Sequence, residues 1–198
     1  MRSLKELLER SCRGHSKLCP RQVLGVRMAM AAVAALGLEV PRSDKRLLVI
    51  AETDGCFVDG VEAVTGCTVG HRTLRIEDYG KVAATFVDTS SGAAVRVAPR
   101  SGVRHRALSY APGEAGHYQG QLAGYQVMPE EELLALQRVQ LAVSVEAIRG
   151  RANVRTLCDS CQEEIINDRQ VTRDGRTLCR ACASTPYYVP AAGEIPLL

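Results

Sequence analysis

Four late cysteines fall as Cys158-x2-Cys161, a 17-residue spacer, then Cys179-x2-Cys182. Each Cys-x2-Cys turn presents two sulfurs to one ion, and two such turns close the tetrahedron of thiolates that suits zinc. Four thiolates leave no open coordination position, so the expected role is structural, a zinc ribbon. Two disulfides or a rubredoxin-like iron site would use the same residues. A module of about 30 residues buries too little apolar surface to fold unaided, so metal binding would supply the missing free energy. Between the pairs, Glu164 to Arg173 and Arg176 to Leu178 can form a hairpin around Asp174-Gly175, a favoured turn pair.

The early cysteines, Cys12, Cys19, Cys56 and Cys67, follow no spacing rule that makes them one site. Cys19 precedes Pro20, which suits the first turn of a helix because its missing N–H is not needed there. A helix N-terminus favours thiolate over thiol, which predicts a lowered pKa for Cys19; His15 lies close enough in sequence to face the same point. Cys56, bracketed by Asp54 and Asp59, follows an apolar run at the kind of strand-to-helix turn where α/β sites collect. Burial as an inert thiol is the competing reading for each. Arg96, Arg100, Arg104, His105 and Arg106 form a basic stretch that reads either as a solvated loop or as a clamp for a phosphate, carboxylate or other oxyanion.

The elements that must position these residues are partly visible. Leu4 to Leu8 begins a short amphipathic helix, and Pro20 opens a longer, Ala-rich one that stops at Gly37. Leu47 to Ala51 has the composition of a buried strand, and Phe57 to Val64 reads as a helix ending at Gly66. Val82 to Val87 and Ala93 to Val97 flank five turn formers, Asp88 to Gly92, which predicts a hairpin. Asp78-Tyr79-Gly80-Lys81 reads as a turn with Tyr79 packed. Pro99 to Tyr110 is expected to be irregular, Glu114 to Tyr125 partly helical, and Pro129 to Val139 a helix whose first turn carries Glu130 to Glu132. Gly150 to Val154 is the linker candidate. The expected organisation is a core domain over 1–150, a four-cysteine ribbon over 151–185 and an irregular tail over 186–198.

Composition narrows the function classes. The chain has 198 residues, 46% apolar and 24% charged, which excludes a disordered or fibrous protein. Its 25 basic and 22 acidic residues leave a net charge of +3, too small to mark a polyanion binder. From Arg151 onward six Arg face six acids, so the ribbon offers little driving force for nucleic acid and is expected to contact protein instead. The longest apolar stretch, Met28 to Leu38, is about half of a membrane span. The first ten residues lack a signal-peptide core, so eight cysteines point to a cytoplasmic protein with metal-ligating or reactive thiols.

Four blocks in order resemble one family. Gly14-His15 leading to Cys19-Pro20-Arg21-Gln22-Val23-Leu24-Gly25-Val26-Arg27-Met28-Ala29 is similar to the N-terminal signature of the FmdE family of formylmethanofuran dehydrogenase. Glu52-Thr53-Asp54-Gly55-Cys56 with Asp59-Gly60-Val61, then Val64-Thr65-Gly66-Cys67-Thr68 and Asp78-Tyr79-Gly80-Lys81, resemble its next three blocks. The late cysteine pairs resemble the ribbon appended in many members. The resemblance implies an α+β fold, a mixed sheet with packed helices plus a small C-terminal zinc-ribbon module, commonly homodimeric. It also implies a cavity lined by His15, Cys19, Cys56 and Cys67, with Asp54 nearby, able to hold a second metal ion in addition to the ribbon zinc.

That resemblance implies a metal-binding accessory protein serving a molybdenum- or tungsten-dependent oxidoreductase or its metal supply. The chain has no Cys-x2-Cys-x2-Cys-x3-Cys run for an iron–sulfur cluster and is too short to enclose a pterin cofactor, so it is not a complete redox enzyme alone. A stand-alone enzyme would instead use Cys56, Cys67 and Asp54 on a small molecule, with a thiolate or metal-bound water as nucleophile. A third reading is a regulator whose ribbon contacts nucleic acid.

Overall fold

The computed structural model describes residues 2–151, 153–189 and 191. It divides into two compact units, Met1–Ala142 and Val143–Leu198. Of the tail expected over 186–198, residues 190 and 192–198 lie outside the described residues.

The first unit is α+β. Its mixed five-stranded sheet has the order β2-β1-β3-β4-β5, formed by β1 (Leu47–Ala51), β2 (Leu74–Ile76), β3 (Ala84–Asp88), β4 (Ala94–Pro99) and β5 (Leu134–Val139). β1 and β2 pair in parallel, and the remaining ladders are antiparallel. The hairpin of β3 and β4 is closed by Asp88, whose carboxylate takes two hydrogen bonds from Arg46 at 3.0 and 2.9 Å and one from the Ser90 hydroxyl at 2.7 Å.

Two packed helices carry the chemistry. α1 (Leu4–Ser11) leads into α2 (Pro20–Ala35), and α3 (Cys56–Thr65) follows β1. α2 and α3 touch backbone to backbone. A Cβ added at Gly25 would lie 2.2 Å from the Phe57 carbonyl oxygen, and one at Gly60 would lie 2.4 Å from the Gln22 carbonyl oxygen. Only glycine permits this approach, which brings the start of α2 against the start of α3. Gly60→Ala should therefore cost about 2–4 kcal/mol by overpacking, a drop of roughly 10 °C in thermal midpoint. A midpoint equal to wild type in a melting scan would contradict the contact.

Four expectations are corrected. The segment Pro99 to Tyr110 holds the helix α4 (Val103–Ser109), and α5 (Gly116–Val127) is a continuous helix. Beyond Pro129 the helix α6 stops after Glu130–Leu133, and Leu134–Val139 becomes β5 by pairing with β4, Pro99 opposite Leu134. The Leu spacing that mimics a helix is overridden by the ladder that β4 offers. Tyr79 is 66% exposed rather than packed, although Gly80 does take the left-handed turn conformation at φ 64°.

The second unit begins with α7 (Val145–Arg149). β6 (Arg155–Leu157) pairs with β7 (Glu164–Ile166), and β8 (Val171–Arg173) pairs with β9 (Arg176–Leu178), before α8 (Arg180–Ala183). Asp174 and Gly175, at φ 51° and 72°, make the turn of the second hairpin. The predicted hairpin thus uses Val171–Arg173, while Glu164–Ile166 belongs to the preceding one. Among the described residues, the apolar core of this unit is Cys158, Ile165, Leu178 and Ala183, with Val171 and Cys179 packed against it.

Candidate metal centres and a cavity

The four late cysteines converge. Their sulfurs all lie within 4.8 Å of one another. Each pair sits on a turn at the end of a strand: Cys158 follows β6, and Cys179 follows β9 and caps α8. Asp159 locks the turns together, accepting from the Thr177 N–H at 2.6 Å through its carboxylate and donating its own N–H to the Thr177 carbonyl at 2.8 Å. Backbone N–H groups of Cys161 and Cys179 pull the Cys158 thiol down to about 6. At Cys161 the Glu163 N–H favours thiolate, but desolvation and the neighbouring sulfurs push the thiol up to about 12. One thiolate is stabilised readily and further ones repel it, which is the electrostatics of a site waiting for a dication. The donor set and its mutual distances fit a four-thiolate ion.

In the first unit, Cys19 caps α2 and Cys56 is the first residue of α3. Gln22 fixes this junction: its amide accepts from the Cys19 N–H at 2.8 Å and donates to the Ser11 carbonyl at 2.8 Å, joining the end of α1 to the start of α2. The Cys19 sulfur accepts from the Gln22 N–H at 3.4 Å and lies near enough to the Cys56 sulfur to feel it electrostatically. Contrary to the expectation from the helix end, the Cys19 thiol is raised. Desolvation is the largest cause, the Gln22 N–H opposes it, and the Cys56 sulfur adds to the rise.

Cys56 also faces a second set of donors. His15, on the turn after α1, places Nε2 2.8 Å from Asp59 Oδ2, and donor atoms of His15, Cys56 and Asp59 all lie within 4.8 Å of one another. Cys56 and Asp59 are three residues apart on α3, so they share a helix face. That spacing was the signal for Asp59, which motif reading passed over in favour of Asp54. Asp54 is exposed on the turn and lies outside the three-donor cluster.

Cys67 sits elsewhere. It lies beyond the far end of α3, is 1% exposed within the apolar core, and its sulfur donates to the Leu47 carbonyl at 3.5 Å. Burial pushes its thiol up. The ten residues of α3 separate Cys56 from Cys67 by about 15 Å.

Cys19 and Cys56 line a cavity of about 790 Å³, walled by α2, β4, α4 and α5 and by the segment Lys81–Ala83. Arg27 secures α5 over α2 by donating to the Tyr125 and Met128 carbonyls at 2.8 and 3.0 Å. Tyr118 of α5, on the cavity wall, donates its hydroxyl to the Leu18 carbonyl at 3.2 Å, just before Cys19. Glu52, buried after β1, holds Arg96 through two hydrogen bonds of 2.6 and 2.7 Å, and its carbonyl accepts the N–H groups of Tyr79 and Lys81. Neither Gln22, Glu52 nor Tyr118 stood out as a functional residue by type alone.

The family described as "FmdE, Molybdenum formylmethanofuran dehydrogenase operon" matches residues 14–146, about two thirds of the 198-residue chain. The chain belongs to the FmdE family. A crystal structure of a tungsten formylmethanofuran dehydrogenase FmdE-like protein from Syntrophus aciditrophicus matches with a TM-score of 0.60 and 21% identity, covering 95% of this chain and 96% of that one. At that identity the likeness shows the FmdE fold. A "Probable S-adenosyl-L-methionine-binding protein" from Archaeoglobus fulgidus is 39% identical over 97 residues, 48% of this chain and 26% of that protein. This FmdE-family chain therefore spans about a quarter of the length of that relative. Among its described residues, no helix is long and apolar enough to cross a membrane.

Proposed function

We propose that this protein is a metal-binding accessory protein with two centres, a structural zinc ribbon and a core metal site that opens on a ligand cavity. The observation that carries the reading is the meeting of His15, Cys56 and Asp59 donors beside a cavity lined by Cys56 and Cys19. Three protein donors of mixed nitrogen, sulfur and oxygen suit zinc or another borderline-soft metal and leave a coordination position open. Cys19, which lines the same cavity as Cys56 but lies outside the three-donor cluster, is the candidate fourth ligand or the group that orients a bound molecule. Because the Cys67 thiol is buried beyond the far end of α3 and lies outside the three-donor cluster, the core site is proposed without it.

The family description supports a molybdenum- or tungsten-dependent oxidoreductase as the partner enzyme. Affinity purification of the tagged protein from its source cells should recover such an enzyme, with that enzyme's activity reduced in a deletion strain. Absence of the enzyme from the purified fraction, with its activity intact in the deletion strain, would overturn the partnership. The open coordination position also favours a second reading, a small-molecule enzyme with Cys56 at its reacting centre. Turnover that persists without any oxidoreductase partner and is lost in Cys56→Ser would select it.

A homodimer is supported by β5, which pairs only with β4 in the described sheet and exposes Ala135 to Arg138, an edge able to pair with a second copy. Eight free thiols fit a reducing, cytoplasmic setting. The name of the Archaeoglobus relative raises S-adenosyl-L-methionine as a ligand, but a sulfonium and an ammonium group would meet only cations among the charged side chains of the cavity.

A further inference from the structure

The cavity beside Cys19 and Cys56 has a charge pattern that the metal site does not explain. Its ionic side chains are Arg21, Lys81, Arg96, Arg100 and Arg104, with no carboxylate on the wall. These come from α2, the segment before β3, β4 with its end, and α4, four separate parts of the chain. Arg96 is neutralised by Glu52. Among the described residues no ion pair engages Arg21, Lys81, Arg100 or Arg104. Arg100 spends its Nε on the Glu131 carbonyl, which fixes its position without cancelling its charge. Four uncompensated cations around one hollow exceed the whole chain's net charge of +3.

Apart from Gln121 and the two thiols, the rest of the wall is apolar or aromatic, including Leu24, Val82, Val103, Tyr118 and Tyr125. Low-dielectric walls focus the field of the cations into the hollow, and guanidinium forks match the geometry of oxyanions. The volume of about 790 Å³ lies within the usual size of small-molecule sites. We infer that the cavity binds a small organic oxyanion, a carboxylate or phosphate on an apolar or aromatic body, with Arg21, Arg100, Arg104 and Lys81 receiving the anionic group. This deepens the proposed function by naming the ligand class of the same cavity, and it rests on that reading only in placing Cys56 next to the bound molecule. Of the basic residues adjoining β4 in sequence, His105 and Arg106 are absent from this wall.

The test uses two fluorescent probes with one body, 8-anilinonaphthalene-1-sulfonate and the neutral N-phenyl-1-naphthylamine, titrated into the full-length protein. The anionic probe should bind about tenfold more tightly or better, weaken with added salt, and be displaced by benzoate or phenyl phosphate. Whichever of those two competes at lower concentration identifies the preferred oxyanion, and displacement by neither at millimolar concentration would overturn the inference. The double variant Arg21→Gln/Arg104→Gln alters exposed side chains without structural hydrogen bonds. It should lose about tenfold in affinity for the sulfonate and keep its affinity for the neutral probe. Equal binding of the two probes by wild type, unchanged sulfonate affinity in the variant, or parallel loss of both probes would each overturn it. Lys81→Gln provides an independent second variant with the same expected direction. Repeating the titration on His15→Ala/Asp59→Asn separates the two ideas, because that variant lacks core metal donors and should retain the preference for the anion.

Discussion

Replacing Cys158 and Cys161 together by Ser should remove one zinc per chain and unfold Val143–Leu198 while the first unit keeps its structure. Among the described residues, the apolar core of the second unit consists of four buried residues, one of them Cys158 itself. Burial on that scale cannot offset the conformational entropy of ordering the segment. Structural zinc contributes on the order of 10 kcal/mol in comparable small modules, so its loss is decisive. Limited proteolysis should cut the variant beyond Ala142 and spare Met1–Ala142, and a strong chelator should do the same to wild type. A variant as resistant as wild type in the second unit would show that the hairpins hold without metal. Ligand thiols must lose their protons, so ribbon metal should be released as pH falls.

The second large effect concerns the core. His15→Ala and Cys56→Ser should each weaken metal binding there by more than the roughly 10–100-fold that follows loss of an outer-shell partner. Cys67→Ala should leave the metal affinity unchanged and show itself only as lost stability. Competition with a chromogenic chelator in proteins whose ribbon is saturated would measure these affinities. Equal losses at Cys56 and Cys67 would mean that the two sulfurs act together despite the helix between them.

Much of this arrangement was legible in the residues. The ribbon cysteines announce themselves because metal geometry imposes a short, repeated spacing on the chain. The convergence of Cys19 and Cys56 on one cavity has no such spacing; it depends on Gly25 and Gly60 letting two helices meet at their backbones, and only the ordered blocks of the family resemblance pointed to it. Cys67 illustrates how matching motif order can mislead, since the helix predicted over Phe57 to Val64 already implied its separation from Cys56. Asp59 carried the opposite lesson, being three residues beyond Cys56 on that helix. The strand Leu134–Val139 was hidden for another reason: its leucines and acidic first turn fit a helix, and only the free edge of β4 decides otherwise. The basic stretch around Pro99 was readable as charge, but its convergence with Arg21 and Lys81 requires the sheet and α2 to be placed.

The metal site proposed at His15, Cys56 and Asp59 is independent of the ribbon. Its most direct test is the zinc content, by native mass spectrometry, of Cys158→Ser/Cys161→Ser, in which the ribbon is disabled. One zinc per chain, abolished when Cys56→Ser is added, is the predicted result; no bound metal in the ribbon variant would contradict it.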